Sequence, residues 1–311
     1  MKEMIRLIKI GTYKVKTSAH TPEECLRITK DAGFDFVCLA AHCLYPGDTT
    51  GFTPELCGKV GIDFDNVHLT SNGTHAIWAE GEDGDAIIDR YIYEIKLFSS
   101  LGVKTGICHV TWGTKTPPPI SELGLHRLEK VAECADKCGF TVALENSAFP
   151  EYLHYVLPKL AAEYKNSIGY CFDSGHRNAF APGEDFLSQY GNLLCATHIQ
   201  DNEGKTDMHI LPGDGSINWD KVTSELASTA FARKMLCAEV AGAYHKERPG
   251  KTAAEIRESL SSLAIIDDES LLRIYDGGFS VYEDITYEQY IARLADHMRK
   301  IAAAVEAKAG A

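Results

Sequence analysis

A chain of 311 residues that is 45% hydrophobic, 9% aromatic and 24% charged has the make-up of a globular protein, which excludes a disordered or fibrous one. Thirty-one Lys and Arg against 44 Asp and Glu leave a formal net charge of −13, and the basic clusters, such as Lys14 with Lys16, are too short for a duplex footprint. No nucleic-acid partner is expected. No run approaches the ~18 apolar residues of a membrane helix, and the opening MKEMIRLIKIG lacks the apolar centre of a signal peptide.

In chain order, short β-rich runs alternate with helical patterns. The strands are predicted at Arg6–Gly11, Phe36–His42, Val67–Thr70, Gly106–Thr111, Thr141–Asn146, Gly169–Ser174, Leu193–Gln200 and Met235–Val240. Several are nearly continuous apolar runs, as parallel strands buried on both faces require. Between them, Thr21 followed by Pro22, Glu23 and Glu24 reads as a helix start. Ile88, Tyr91, Ile92, Ile95, Phe98 and Leu101 recur at helical spacing, as do Leu125, Leu128, Val131, Ala135 and Cys138. A last helix carries Tyr287, Tyr290, Ile291, Leu294, Met298, Ile301 and Val305 on one face. Eight strands, each followed by helix, predict an α/β fold of the (β/α)8 TIM-barrel type, as one domain over 1–311. The stretch 241–284 has no place in that alternation and is expected to be an insertion after strand eight, serving as a lid or as an interface in a homo-oligomer. The ten cysteines lie largely in buried-strand runs without a C-x-x-C pair, so reduced thiols and a cytoplasmic location are expected.

Ionisable residues end the late strands: Glu145 in VALEN, Asp173 and His176 in YCFDSGH, His198 and Asp201 in CATHIQD, Glu239 in LCAEV. About one βα unit, ~30 residues, separates Glu145 from Asp173 and Asp173 from His198. A small residue lies two positions before each of Glu145, Asp173, His198 and Glu239, namely Ala143, Cys171, Ala196 and Cys237. With a strand period of two, each small residue shares the inward face with the polar one above it. Three carboxylates and an imidazole converging in a low-dielectric pocket call for a divalent cation. Oxygen-rich ligation with one imidazole favours Mn²⁺ or Mg²⁺, with Co²⁺ and Zn²⁺ also compatible.

These segments, together with HIQDNEGKTDMHILPGDGSINW, resemble the xylose isomerase-like TIM-barrel family, whose members include sugar and sugar-phosphate isomerases and epimerases, inosose dehydratases and type IV apurinic endonucleases. The resemblance runs from about Phe36 to Val240 and takes in the final helix. It implies that Glu145, Asp173, His198 and Glu239 hold the metal, with Glu145 and Glu239 also acting as acid and base on opposite faces of a substrate carbon. It further implies that His176 contacts a substrate oxygen. His68 in NVHLTS and His109 in ICHVTWG, with Asp207 and His209, match positions that bind additional zinc in the endonuclease branch; here they are read as substrate-binding residues. Trp112 is weighed equally as a wall of a sugar pocket and as core; Trp219 is read as packing at a helix start. Arg177 and Lys205 are read as solvated rather than phosphate-binding. The expected activity is isomerisation or epimerisation of a sugar, sugar phosphate or inosose-type polyol ketone, by proton transfer through an enediolate that the cation stabilises. An inosose-type dehydratase and a zinc-dependent apurinic endonuclease are the alternatives.

Overall fold

The computed structural model describes residues 8–13, 20–48, 50–205, 207–230, 234–240 and 285–310. Strands β1 (Lys9–Tyr13), β2 (Phe36–Ala40), β3 (Asp63–His68), β4 (Thr105–His109), β5 (Thr141–Glu145), β6 (Ile168–Asp173), β7 (Leu194–His198) and β8 (Met235–Ala238) are joined by α1 (Pro22–Asp31), α2 (Pro54–Val60), α3 (Glu82–Ser100), α4 (Glu122–Cys138), α5 (Pro150–Glu163), α6 (Ser174–Phe180), α7 (Phe186–Tyr190) and α8 (Trp219–Ala227), and α9 (Tyr287–Ala309) follows. The strands pair in parallel in the order β7-β6-β5-β4-β3-β2-β1-β8. The ring closes where the Ile199 N–H donates to the Cys237 carbonyl at 2.8 Å and the Glu239 N–H to that of Ile199 at 3.1 Å. Below this bridge the Thr197 hydroxyl oxygen accepts the Cys237 N–H at 3.1 Å, a side chain standing in for a ladder bond. The predicted TIM barrel is the observed fold.

Local chemistry sets the elements. Thr21 and Glu24 form a capping box at the start of α1, and Thr286 with Gln289 forms another at the start of α9. All seven apolar residues predicted for the last helix are buried, against α8, β1 and β8. Burial of side chains this size is worth about 1.5–3 kcal/mol each.

Three expectations need correction. The third strand begins at Asp63 rather than Val67, because pairing with β2 draws the polar DFDN stretch into the sheet at the open lower end, where Asp63 stays exposed. Leu101 is 42% exposed: α3 ends at Ser100, and Val103, past the turn, takes the buried place instead. Conversely, Glu94 of α3 is fully buried, accepting the Thr70 N–H at 3.0 Å and the hydroxyls of Thr70 and Tyr45. The first strand is observed at Lys9–Tyr13, of which Thr12 and Tyr13 lie beyond the predicted end. The lid or interface assigned to 241–284 lies outside the described residues.

Inside the barrel, Phe36, Cys38, Ile107, Ala143, Cys171, Ala196 and Cys237 form a small apolar layer, separate from the larger core between strands and helices. Gly11 is required here, since a Cβ on it would meet the Phe36 ring at 2.2 Å. The predicted inward parity of Ala143, Cys171, Ala196 and Cys237 is what the structure has.

Candidate active site

One pleat above that apolar layer, the C-terminal ends of six strands deliver His68, His109, Glu145, Asp173, His198 and Glu239. All six are buried, Glu145, Asp173 and His198 completely. Glu145 is the hub. Its Oε2 lies 2.8 Å from His109 Nε2 and 3.6 Å from His68 Nε2; its Oε1 lies 2.8 Å from His198 Nδ1 and 3.5 Å from His176 Nδ1. Glu239 approaches the same His198 Nδ1 at 2.9 Å.

A second group stands at the outer edge. Asp173 ends β6 and caps α6, accepting the His176 N–H at 2.5 Å, which places His176 one turn into the mouth. The loop after β7 brings Asp207 and His209 opposite, with Asp207 Oδ2 2.8 Å from His209 Nε2 and 3.2 Å from His176 Nε2. Every residue singled out for this site from the sequence is thus in one cluster, apart from Asp201. That carboxylate turns away and accepts the N–H groups of Asn202, Gly213 and Ile217 and the Trp219 indole N–H, which anchors the PGDG turn. Trp219 does open α8, as predicted.

The directions of the pKa values follow this geometry. Burial disfavours the charged forms of His176 and His198, yet Asp173 and Asp207 around the first, and Glu239 and Glu145 around the second, hold both imidazoles well above the usual range. Against the same burial, Asp207 raises His209 to about 10, while His198 and His209 help to draw Glu239 down to about 2. Glu145 and Asp207 sit well below the carboxylate range despite burial, because imidazoles surround them. Burial pushes Asp173 up to about 7, with His176 opposing and Glu145 reinforcing. His68 is raised against its burial by Glu145, whereas burial prevails at His109 and lowers it.

The donor chemistry suits a cation as well as it suits protons. His68 Nδ1 lies 2.7 Å from the Leu69 carbonyl, His176 Nδ1 2.9 Å from that of Asn146, and His209 Nδ1 2.7 Å from that of Glu239. A carbonyl only accepts, so each ring donates there, and in the neutral form each Nε2 presents a lone pair to a carboxylate oxygen. That contact is repulsive unless a proton or a metal lies between. Asp173 Oδ2 is buried with no hydrogen-bond partner among the described residues. The ligand atoms of Glu145, Asp173, His198 and Glu239 lie within 4.8 Å of one another, as do those of His68, His109 and Glu145, and those of His176, Asp207 and His209. The cluster is a candidate divalent-metal site.

Some participants were not singled out from the sequence. Asn146, inside VALEN, accepts the Asp173 N–H at 2.9 Å and the Tyr170 hydroxyl at 2.7 Å, holding two strand ends in register. Gln200, inside HIQD, reaches Asp207 with its amide at 2.6 Å. Tyr13 ends β1 edge-on to His68, ring centroids 6.4 Å apart. The signal for the first two was their place in motifs already noted; Tyr13 carries none, because a strand-end tyrosine looks like core. Trp112 is buried with its ring 5.0 Å from His109 and 5.3 Å from His176, so it packs on two site imidazoles. Arg177 is paired with Glu225 at 2.5 Å and lies over the Phe172 ring, and is neither solvated nor directed at the mouth. Lys205 is exposed, as expected.

Comparison with known proteins agrees with this architecture. The uncharacterised protein y4fM of Sinorhizobium fredii is 41% identical over 216 residues, 66% of this chain and 66% of its own length. An uncharacterised protein of Methanocaldococcus jannaschii is 26% identical over 115 residues, 33% of this chain and 38% of its own. The matched stretch therefore spans just under two thirds of the first relative and less than half of the second. Among solved structures, D-psicose 3-epimerase from Clostridium cellulolyticum superposes with a TM-score of 0.66 at 17% identity, covering 96% of this chain and 99% of that one. The 3-keto-D-glucoside 4-epimerase YcjR from E. coli gives 0.58 at 17% identity, over 82% and 98%. The family model described as xylose isomerase-like TIM barrel matches residues 8–265, and the chain belongs to that family.

Proposed function

We propose that this protein is a divalent-metal-dependent isomerase or epimerase acting on a ketose, a ketose phosphate or a cyclic polyol ketone. The observation that carries this reading is the arrangement of Glu145 and Glu239, which converge on one His198 nitrogen at 2.8 and 2.9 Å beside the unpartnered oxygen of Asp173. Glu145, Asp173, His198 and Glu239 would hold the cation, with Mn²⁺ or Mg²⁺ the first choice for an oxygen-rich set. When bound, it supplies Lewis-acid polarisation of a substrate carbonyl and its neighbouring hydroxyl. One glutamate removes the acidified C–H proton, and the other returns a proton to the opposite face or to the adjacent carbon. His176 and His209, whose Nε2 atoms meet at Asp207 on the outer edge of the cluster, would border the substrate oxygens, and Trp112 packs on His109 and His176 and would hold them in place while excluding water. That the superposed D-psicose 3-epimerase and 3-keto-D-glucoside 4-epimerase are sugar epimerases supports a sugar-type substrate. Expulsion of hydroxide after the same first step would give the dehydratase outcome.

The test is metal content by mass spectrometry alongside turnover on a panel of ketoses, for the wild type and for Glu145→Gln. Tight metal and turnover should disappear together in the variant. Full activity in chelator-stripped protein would sink the reading.

A second reading rests on the other two donor sets, His68 with His109 and Glu145, and His176 with Asp207 and His209. Three zinc ions per chain would suit phosphodiester hydrolysis at an abasic site. Three tightly held zinc equivalents together with cleavage of abasic duplex would establish it over the first; the net charge of −13 weighs against a DNA-binding surface.

A further inference from the structure

Gln200 follows the strand-end His198 by two residues and is completely buried between the two halves of the cluster. Its orientation is determined by its neighbours. The His209 backbone N–H, which can only donate, points at Oε1 at 3.2 Å, so the amide nitrogen must face the other way. There Nε2 donates to Asp207 Oδ1 at 2.6 Å and stands 3.5 Å from Asp173 Oδ1. With Oδ1 engaged, Asp207 directs Oδ2 at the Nε2 atoms of His176 and His209. The same amide supports His209, a non-glycine residue with φ of 50°, in the left-handed region. Space for it comes from Gly175 in α6, where a Cβ would meet the amide group at 2.2 Å.

We propose that Gln200 is a positioning residue: it orients Asp207 so that the outer donor set already described, His176, Asp207 and His209, can take a cation apart from the four-residue strand-end site. This rests on the metal-dependent reading above. An amide suits the task because it donates to one side and accepts on the other, neutral between two carboxylates. A carboxylate in its place would repel Asp207, and an apolar side chain would release it.

The experiment titrates Co²⁺ alone into the chelator-treated full-length protein, followed by calorimetry and by visible absorption, with Asp207→Asn identifying which equivalent belongs to the outer site. In Gln200→Met, affinity for that equivalent should fall at least tenfold, while the strand-end equivalent changes less than threefold. Gly175→Ala, which pushes the amide aside without removing it, should shift affinity in the same direction and alter the same absorption band. The proposal is overturned if Gln200→Met leaves both equivalents unchanged. Equal weakening of both, with a lowered Tm, also overturns it, because Gln200 would then serve only the fold. A wild type that takes up a single equivalent overturns it while leaving the isomerase reading intact; a wild type that binds no Co²⁺ removes both.

Discussion

The barrel interior has two layers one pleat apart, and their chemistry is opposite. The lower is Phe36, Cys38, Ile107, Ala143, Cys171, Ala196 and Cys237, small or apolar and closely packed. The upper is His68, His109, Glu145, Asp173, His198 and Glu239, polar and equally buried. Both layers are buried, so the lower layer gives stability through packing and the upper spends it on confining charge. The comparison teaches that rigidity beneath is what lets like charges be held above. Small side chains at positions 143, 171, 196 and 237 bring the strands close, and close strands bring the carboxylates within reach of one another.

Substitution in the upper layer should cost the most. On the proposed mechanism, Glu239→Gln would keep the shape but remove a base and weaken a ligand, so turnover should fall about 10²–10⁴-fold while the fold is retained. Steady-state kinetics with a circular dichroism control checks this, and a loss below tenfold would exclude Glu239 as acid or base. The lower layer should respond in stability instead. Ala143→Leu forces extra methylenes beneath Glu145 and should lower unfolding free energy by about 1–3 kcal/mol in urea titration. An unchanged midpoint would mean that the layer has slack, and that the two layers are not mechanically linked.

Titration sharpens the contrast further. The lower layer has no charge to lose, so the pH response should come from the upper layer and the outer group. Asp173 and His209, held up at about 7 and about 10, lie above their ordinary values. A group whose folded pKa is raised gives stability that is complete below its unfolded pKa and is lost as pH rises through the folded one. In chelator-stripped protein, Tm should therefore decline from about pH 4 toward 7 through Asp173, and from about 6.5 toward 10 through His209. With divalent metal present the trend should reverse, since metal competes with those protons. A flat profile in both forms would mean that these groups do not titrate with folding. Smallest of all, removing the exposed Lys137–Glu133 pair on α4 with Lys137→Ala should leave both the urea midpoint and turnover unchanged within error.

Taken by itself, the sequence determined the barrel, the inward parity of the late strands and the strand-end polar cluster. Each follows from a local period, either the two-residue alternation of a strand or the repeat length of a βα unit, and local periods survive into the fold. VALEN and CATH therefore disclosed Glu145 and His198 without any contact map. His68, His109, Asp207 and His209 were legible only through resemblance, because the first two fall inside the predicted strands Val67–Thr70 and Gly106–Thr111 rather than at their ends, and nothing in the spacing of the other two ties a loop residue to a strand end. Tertiary structure alone decided the rest. Glu94 is buried because two loop hydroxyls and a backbone N–H reach it, Asp201 turns outward because Asn202, Gly213, Ile217 and Trp219 supply four donors, and Gln200 stands between two carboxylates because Gly175 leaves it room. Partners of this kind lie far apart in the chain, and hydrogen-bond satisfaction in a buried site is settled by whatever the closed barrel brings near.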